Sequence, residues 1–270
     1  MLVKRILTAL IGIPLIFMCV YFGAFPFFAM MFLVVFFCVQ EYCLILKKYE
    51  PRSIISLIMA VVFFILLYFY DISVLNNAAI IAISMLFILF GAEIIGAKMK
   101  NCISRIAVSF IGAFFIPLSL SYMLFIRNLP AGMEYIFLIF LTVWILDTAA
   151  YAFGKMLGKH KLSVVSPKKT IEGAIAGIVF GIISSIVIGV YIFEIFSVAS
   201  AALFGFMLAV IGQFSDIAES LIKRDADIKD SGNIIPGHGG FLDRFDSYLF
   251  AAPVFYYLVK IIVNMSIYTK

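Results

Sequence analysis

The sequence predicts an all-α, polytopic transmembrane protein of about nine spans, and three observations predict it. First, 65% of the 270 residues are hydrophobic and only 13% are charged, with a mean hydropathy of +1.17. Soluble domains run nearer roughly half apolar and a quarter charged. Second, the apolar residues form long unbroken runs rather than ~10-residue segments of alternating polarity. Only helices and closed barrels pair every backbone polar group inside a bilayer, so these runs read as helices. Third, Lys and Arg collect in alternate connections.

A helical span needs about 20 apolar residues. The first candidate, 5–22, follows Lys4 and Arg5 as a secretory leader would. It has no clear small-residue cleavage site and further spans follow at once, so an uncleaved helix is expected. The break at Phe25-Pro26 opens the second, 25–46. Pro51 precedes the third, 53–70, which 77–96 follows. Past the basic Lys98 and Lys100 comes 104–126. Asn128-Leu129-Pro130 then separates it from 134–157. The last three are 172–196, 199–222 and 244–266. With the N-terminus inside, 17 of the 20 Lys and Arg fall in inside segments, leaving only Arg127, Lys260 and Lys270 outside. The positive-inside rule therefore orients the chain N-in and C-out. Residues 1–130 read as scaffold helices and 131–270 as the catalytic region of one continuous membrane domain. Cys19, Cys38, Cys43 and Cys102 show no metal-binding spacing and read as buried free thiols. The net charge of +5 is modest, and nothing points to nucleic acid.

Acidic residues inside apolar spans are costly and need a partner, a cavity or water. Glu41, near Lys47 and Lys48, and Glu93, near Lys98, read as helix-end charges or structural pairs. Asp147 lies toward the inner end of its span, followed by the small residues Thr148, Ala149 and Ala150, which allow close helix packing. Asp216 and Glu219 share one helix face, with Lys223 one turn on, and Asp243 and Asp246 repeat that spacing on the last helix. Two carboxylate pairs flanking one loop suit a hard cation such as Mg²⁺, which takes few carboxylates and completes its shell with substrate phosphate oxygens. The expected metal ligands are thus Asp216, Glu219, Asp243 and Asp246.

Two inside loops hold most of the polar chemistry. In the first, Ser166-Pro167 predicts a helix N-cap with proline in the first helical position. Lys168, Lys169 and Thr170 follow. Two lysines at a helix start oppose the helix dipole, a cost that a bound polyphosphate would offset. In the second, Gly237-His238-Gly239-Gly240 runs into a helix start, where backbone N–H groups can cradle an anion.

The run Ser220-Leu-Ile-Lys223-Arg224, then Lys229-Asp230-Ser-Gly232, then Ile235-Pro236-Gly-His238-Gly239-Gly240-Phe-Leu-Asp243-Arg244-Phe-Asp246 resembles the signature of the phosphatidate cytidylyltransferases. The Ser166–Gly173 segment and the helix carrying Asp147 are similar to that family too. The resemblance is strongest over roughly 140–260. It implies the reaction of CTP with phosphatidic acid to give CDP-diacylglycerol and pyrophosphate, a step in phospholipid synthesis. It also implies a divalent cation, with a monovalent one such as K⁺ able to share the site, and it brings Asp230 and Arg244 into the candidate catalytic set.

Both lines of reasoning lead to one mechanism, since nucleotidyl transfer is in-line displacement governed by positioning and charge. Asp216 and Asp246 would hold Mg²⁺ with Asp243 and Glu219 in support. Lys168, Lys169, Lys223 and Arg224 would neutralise the triphosphate and the lipid headgroup. The glycine loop and His238 would fit around phosphate, and Asp147 would orient a water or a lysine. The expected partners are CTP, phosphatidic acid and the bilayer, with the site facing the cytoplasm, and the sequence is compatible with a homodimer. Two rivals are a CTP-dependent polyprenol or lipid kinase and a membrane transporter. Transporters place their acids near the bilayer midplane, often within repeats, whereas these acids gather at one edge.

Overall fold

A computed structural model describes residues 2–97, 99–228, 231–232, 234–235, 237 and 239–268, with the side chains of 2–7 and 263–268 outside that description. Asp230 and His238 of the expected catalytic set, and Lys98, Lys229 and Pro236, lie outside the described residues.

The described residues are predominantly helical, and the only β structure among them is two isolated bridges. Ten α-helices follow one another: α1 Leu2–Phe22, α2 Ala24–Ile45, α3 Ser53–Tyr70, α4 Ala78–Gly96, α5 Cys102–Phe110, α6 Ile116–Arg127, α7 Gly132–Leu157, α8 Ile171–Ile186, α9 Val198–Asp225 and α10 Leu242–Tyr268. Among the described residues, seven helical stretches are long and apolar enough to cross a membrane, and the shorter apolar helix Thr8–Phe22 precedes them. One stretch, Ser53–Gly96, runs to 44 residues. The 3₁₀ turn Asp71–Asn77 divides it into α3 and α4. Large apolar side chains such as Phe69, Phe87 and Ile95 are 72–88% exposed. So much outward-facing hydrocarbon is stable against lipid rather than water. The chain is an all-α, polytopic membrane protein.

The breaks have identifiable causes. α1 ends at Gly23, whose φ of 60° suits glycine best; Pro26 then sits in the first turn of α2, where a missing N–H costs little. The span expected at 104–126 is interrupted by a π-helical turn, Ile111–Phe115, two residues before Pro117. Proline cannot donate to the carbonyl of Ala113, and the ladder widens there.

The chain divides into two compact units. The first comprises Met1–Phe125 together with Asp225–Phe245, and the second Ile126–Arg224 together with Asp246–Lys270. In the first, α2 packs on α3, and α3 on the π-helical turn. Aromatic stacking of Phe28 on Phe64 and of Phe63 on Phe114 joins them. Glu93, 6% exposed, is held by Arg52 Nε at 2.7 Å and Arg105 Nε at 2.8 Å. Among the described residues its ion-pair partners are arginines from α5 and the start of α3; the neighbouring Lys98 lies outside the described residues.

In the second unit α8 lies against α7 and α9 through a stripe of glycines. A Cβ on Gly173 would sit 2.6 Å from the Ala150 carbonyl, one on Gly177 3.2 Å from the Ala150 Cβ, and one on Gly181 3.1 Å from the Ala209 Cβ. Such spacing lets backbones approach closely where no hydrophobic effect drives association. On α10, Phe255 packs against Tyr135 of α7 and Phe204 of α9. These contacts pack α10 against α7 and α9 within the second unit.

Candidate active site

The second unit gathers three carboxylates. Asp216 and Glu219 of α9 and Asp246 of α10 each offer an oxygen, and these oxygens all lie within 4.8 Å of one another. Two helical features bring them there. The i, i+3 spacing puts Asp216 and Glu219 on one face. Ser215 Oγ donates to the carbonyl of Asp246, joining α9 to α10 at that level, and a Cβ on Gly212 would lie 3.7 Å from the Ser247 Cβ. Asp246 Oδ1 accepts from the backbone N–H of Ser247 at 2.6 Å and from Ser247 Oγ at 3.3 Å.

Burial makes the cluster costly. Glu219 is 2% and Asp246 8% exposed. Two lysines partly offset the charge. Lys223 Nζ lies 2.5 Å from Glu219 Oε2, one helical turn on. Lys169 Nζ pairs with Asp216 Oδ2. Asp147 of α7 is exposed. A hard cation with oxygen ligands at about 2.1–2.5 Å holds them about 3–5 Å apart. Three acids of this spacing, with one side of the set still 30% exposed at Asp216, fit such an ion with room for further ligands.

The remaining expected site residues are distributed as follows. Lys168 is exposed and Ser166 half-buried. Helix α8 starts at Ile171, not at Pro167: Thr170 is its N-cap, accepting from the N–H of Gly173 at 3.1 Å. The physical reason is the dipole. With the cap at Thr170, neither lysine sits in the helix, and Lys169 reaches Asp216. Arg224 Nε donates to the carbonyl of Val165 at 3.3 Å, joining the end of α9 to the first inside loop. Arg244 is exposed.

The glycine-rich segment belongs to the first unit and differs most from expectation. The anion at its helix start is the protein's own Glu41. The N–H groups of Phe241 and Leu242 donate to Glu41 Oε1 at 3.0 Å and Oε2 at 2.8 Å. Asp243 is likewise engaged within the segment, accepting from the N–H of Ser231 at 3.1 Å and of Gly240 at 3.0 Å. Its role there is to close the loop. Gly237 and Gly239 have φ of 79° and 84°, the left-handed region that glycine adopts without cost. A Cβ on Gly240 would lie 2.3 Å from Glu41 Oε2. Sequence reasoning singled out Glu41 as an intramembrane acid, a helix-end charge or structural pair, without identifying its donors. It missed Ser247, which carries no local signal.

A cytidylyltransferase family model matches residues 3–262. A phosphatidate cytidylyltransferase of Synechocystis sp. is 31% identical over 293 aligned positions, covering 96% of this chain and 97% of that one. Proteins of the same name from Staphylococcus aureus and Staphylococcus haemolyticus are 44% and 42% identical over 160 and 158 positions, covering 56% of this chain. In those alignments the chain spans 61% of the staphylococcal relatives' length. With the acidic cluster, the signature segment and this match along nearly its whole length, the chain belongs to the cytidylyltransferase family.

Proposed function

We propose that this protein is a phosphatidate cytidylyltransferase of the cytoplasmic membrane, transferring the cytidylyl group of CTP to phosphatidic acid. A phosphate oxygen of the lipid attacks the α-phosphorus of CTP in line, and the bond from that phosphorus to the bridging oxygen of the β-phosphate breaks. Pyrophosphate leaves, and CDP-diacylglycerol stays in the bilayer. The observation that carries the reading is the set Asp216, Glu219 and Asp246, with ligand oxygens within 4.8 Å of one another, flanked by Lys169 and Lys223 in a membrane helical unit.

Asp216, Glu219 and Asp246 would hold Mg²⁺, which, when bound, supplies positive charge to the phosphates; a monovalent cation such as K⁺ could share the site. The chain's own cations do the rest. Lys169 and Lys223 offset carboxylate charge without nucleotide and turn to the triphosphate when it arrives. Lys168, exposed, meets CTP from the aqueous side. Arg224 ties the end of α9 to the first inside loop, so that this loop and Lys223 of α9 present their cations to one triphosphate. Asp147 orients a water or a lysine. His238 donates to phosphate rather than acting as a base, because the attacking lipid phosphate is already ionised near pH 7. An N-in topology of about nine spans, with the orientation read from Lys and Arg, would bring these groups to the level where soluble CTP and a lipid headgroup meet.

Purified protein in detergent with CTP, phosphatidic acid and Mg²⁺ tests the proposal. Pyrophosphate and a CDP-lipid in equal amounts are expected. Release of CDP with a phosphorylated lipid would identify a kinase, and no product from either route would refute the assignment.

A further inference from the structure

Glu41 stands outside the acidic cluster, yet it is 1% exposed in an apolar helix. A buried carboxylate is stable only where donors satisfy it. Here the donors are Ser231 Oγ at 3.0 Å from Oε2, the Phe241 N–H at 3.0 Å from Oε1 and the Leu242 N–H at 2.8 Å from Oε2. The two N–H groups belong to the start of α10, where helix donors have no intrahelical acceptor and the dipole favours an anion. The fit is close on every side. A Cβ on Gly232 would meet Glu41 Oε1 at 2.8 Å, and one on Gly240 would meet Ser231 Oγ at 2.1 Å. One helical turn before Glu41, Phe37 stacks on Phe241 with ring centroids 4.8 Å apart. After α2 ends, Tyr49 Oη donates to Asp225 Oδ2 at 2.7 Å, and Lys48 donates to the Asp225 carbonyl. α2 and the turn after it thus hold both ends of the 225–242 segment.

We infer that Glu41 is a positioning residue for the transfer reaction, acting through the signature segment rather than on substrate. Leu242 is the first residue of α10, and Asp246 lies one helical turn farther along the same helix. Anchoring the N–H groups of the first turn sets the rotational phase and start of α10, and with it the direction of the Asp246 carboxylate. Catalytic placement is exacting, since a misplacement of about 1 Å can cost about a hundredfold in rate. Loss of the anchor therefore lowers turnover while leaving the lysines that meet CTP in place. The kinetic part of this inference rests on the proposed activity.

The test combines hydrogen exchange with kinetics on the full chain in detergent. In wild type the amides of Phe241 and Leu242 are expected to be protected as helix-interior amides are; exchange as fast as an exposed loop would overturn the inference, whatever the substrate. In Glu41→Gln one oxygen is lost as an acceptor together with the charge. Exchange at residues 239–242 should rise at least about tenfold, with α7 and α8 unchanged. Turnover per folded molecule should fall about 10- to 100-fold, with KM for CTP within about threefold. Wild-type exchange, or wild-type turnover, in that variant would overturn the positioning role. Should Glu41→Gln not yield folded protein, Ser231→Ala decides. It removes one donor of three and should lower turnover several-fold with a smaller rise in exchange, and no change in either would count against the inference. If neither the wild type nor any variant makes a CDP-lipid, the proposed activity fails, while the exchange result still judges the anchor.

Discussion

Replacing Lys169 by methionine should tighten, not weaken, the binding of a divalent cation in the absence of nucleotide. Lys169 pairs with Asp216, its side chain 27% exposed and that of Asp216 30% exposed. An arriving cation competes for the same oxygen. An ammonium and a divalent ion held about 4 Å apart at an effective dielectric of about 20 would repel by roughly 8 kcal/mol. The lysine escapes most of this by swinging its flexible stem outward. What remains is the lost ion pair, about 1–3 kcal/mol for a position between surface and interior. Removing the competitor returns that energy to the metal, tightening binding about 5- to 150-fold. Titration of Mn²⁺ against detergent-solubilised enzyme, with free ion read by electron paramagnetic resonance and CTP omitted, measures the change. Lys168→Met, at the exposed neighbouring position, serves as control and should shift the Kd by less than about twofold, as expected of a solvated charge. Unchanged or weaker Mn²⁺ binding in Lys169→Met would refute the competition, and with it the transfer of this lysine from carboxylate to phosphate.

Asp246→Asn should lower turnover at least about 10³-fold, because several kcal/mol of charge stabilisation depend on that ligand set; circular dichroism should show the fold retained, and near-wild-type turnover would rule out a metal role for Asp246. Excess EDTA should stop the reaction and added Mg²⁺ should restore it, whereas turnover that persists would exclude a divalent requirement. Gly181→Val should destabilise the second unit by about 1–3 kcal/mol through overpacking, since a Cβ there meets Ala209 at 3.1 Å and the Gly205 carbonyl at 3.3 Å. Gly91→Ala, with nothing within 4 Å, should leave the thermal midpoint unchanged. Glu93→Gln should cost about 3 kcal/mol, because Arg105 loses a buried ionic partner; an unaltered melting curve would show that water or Glu50 compensates.

Much of the helical layout was legible because lipid makes hydropathy nearly sufficient. The run 53–70 coincides with α3, and 134–157 differs from α7 by two residues at its start. Asp216 and Glu219 could be paired from spacing alone, since i, i+3 neighbours face one way in any helix. Other features depend on competition between signals. The sequence pointed to Ser166 as the N-cap of α8, whereas Thr170 holds that place, because the lysines between them oppose the helix dipole and one of them pairs with Asp216 on another helix. The partner of Glu41 was not legible at all. Its donors lie 190–201 residues away, and two of the three are backbone N–H groups that every residue but proline carries. Asp243 and Asp246 look equivalent by spacing, yet one closes a loop and the other joins the acidic cluster, because adjacent backbone donors capture the first.

The chain passes between its two compact units three times, after Phe125, after Arg224 and after Phe245. A polypeptide beginning at Ile126 would still carry Asp216, Glu219 and Asp246, yet it would strip residues 225–245 of Glu41, Phe37 and Tyr49, leaving the start of α10 without its carboxylate acceptor. A cut at Ile126 would therefore part Glu41 from the segment it holds, and a fragment meant to keep that segment ordered must also keep α2.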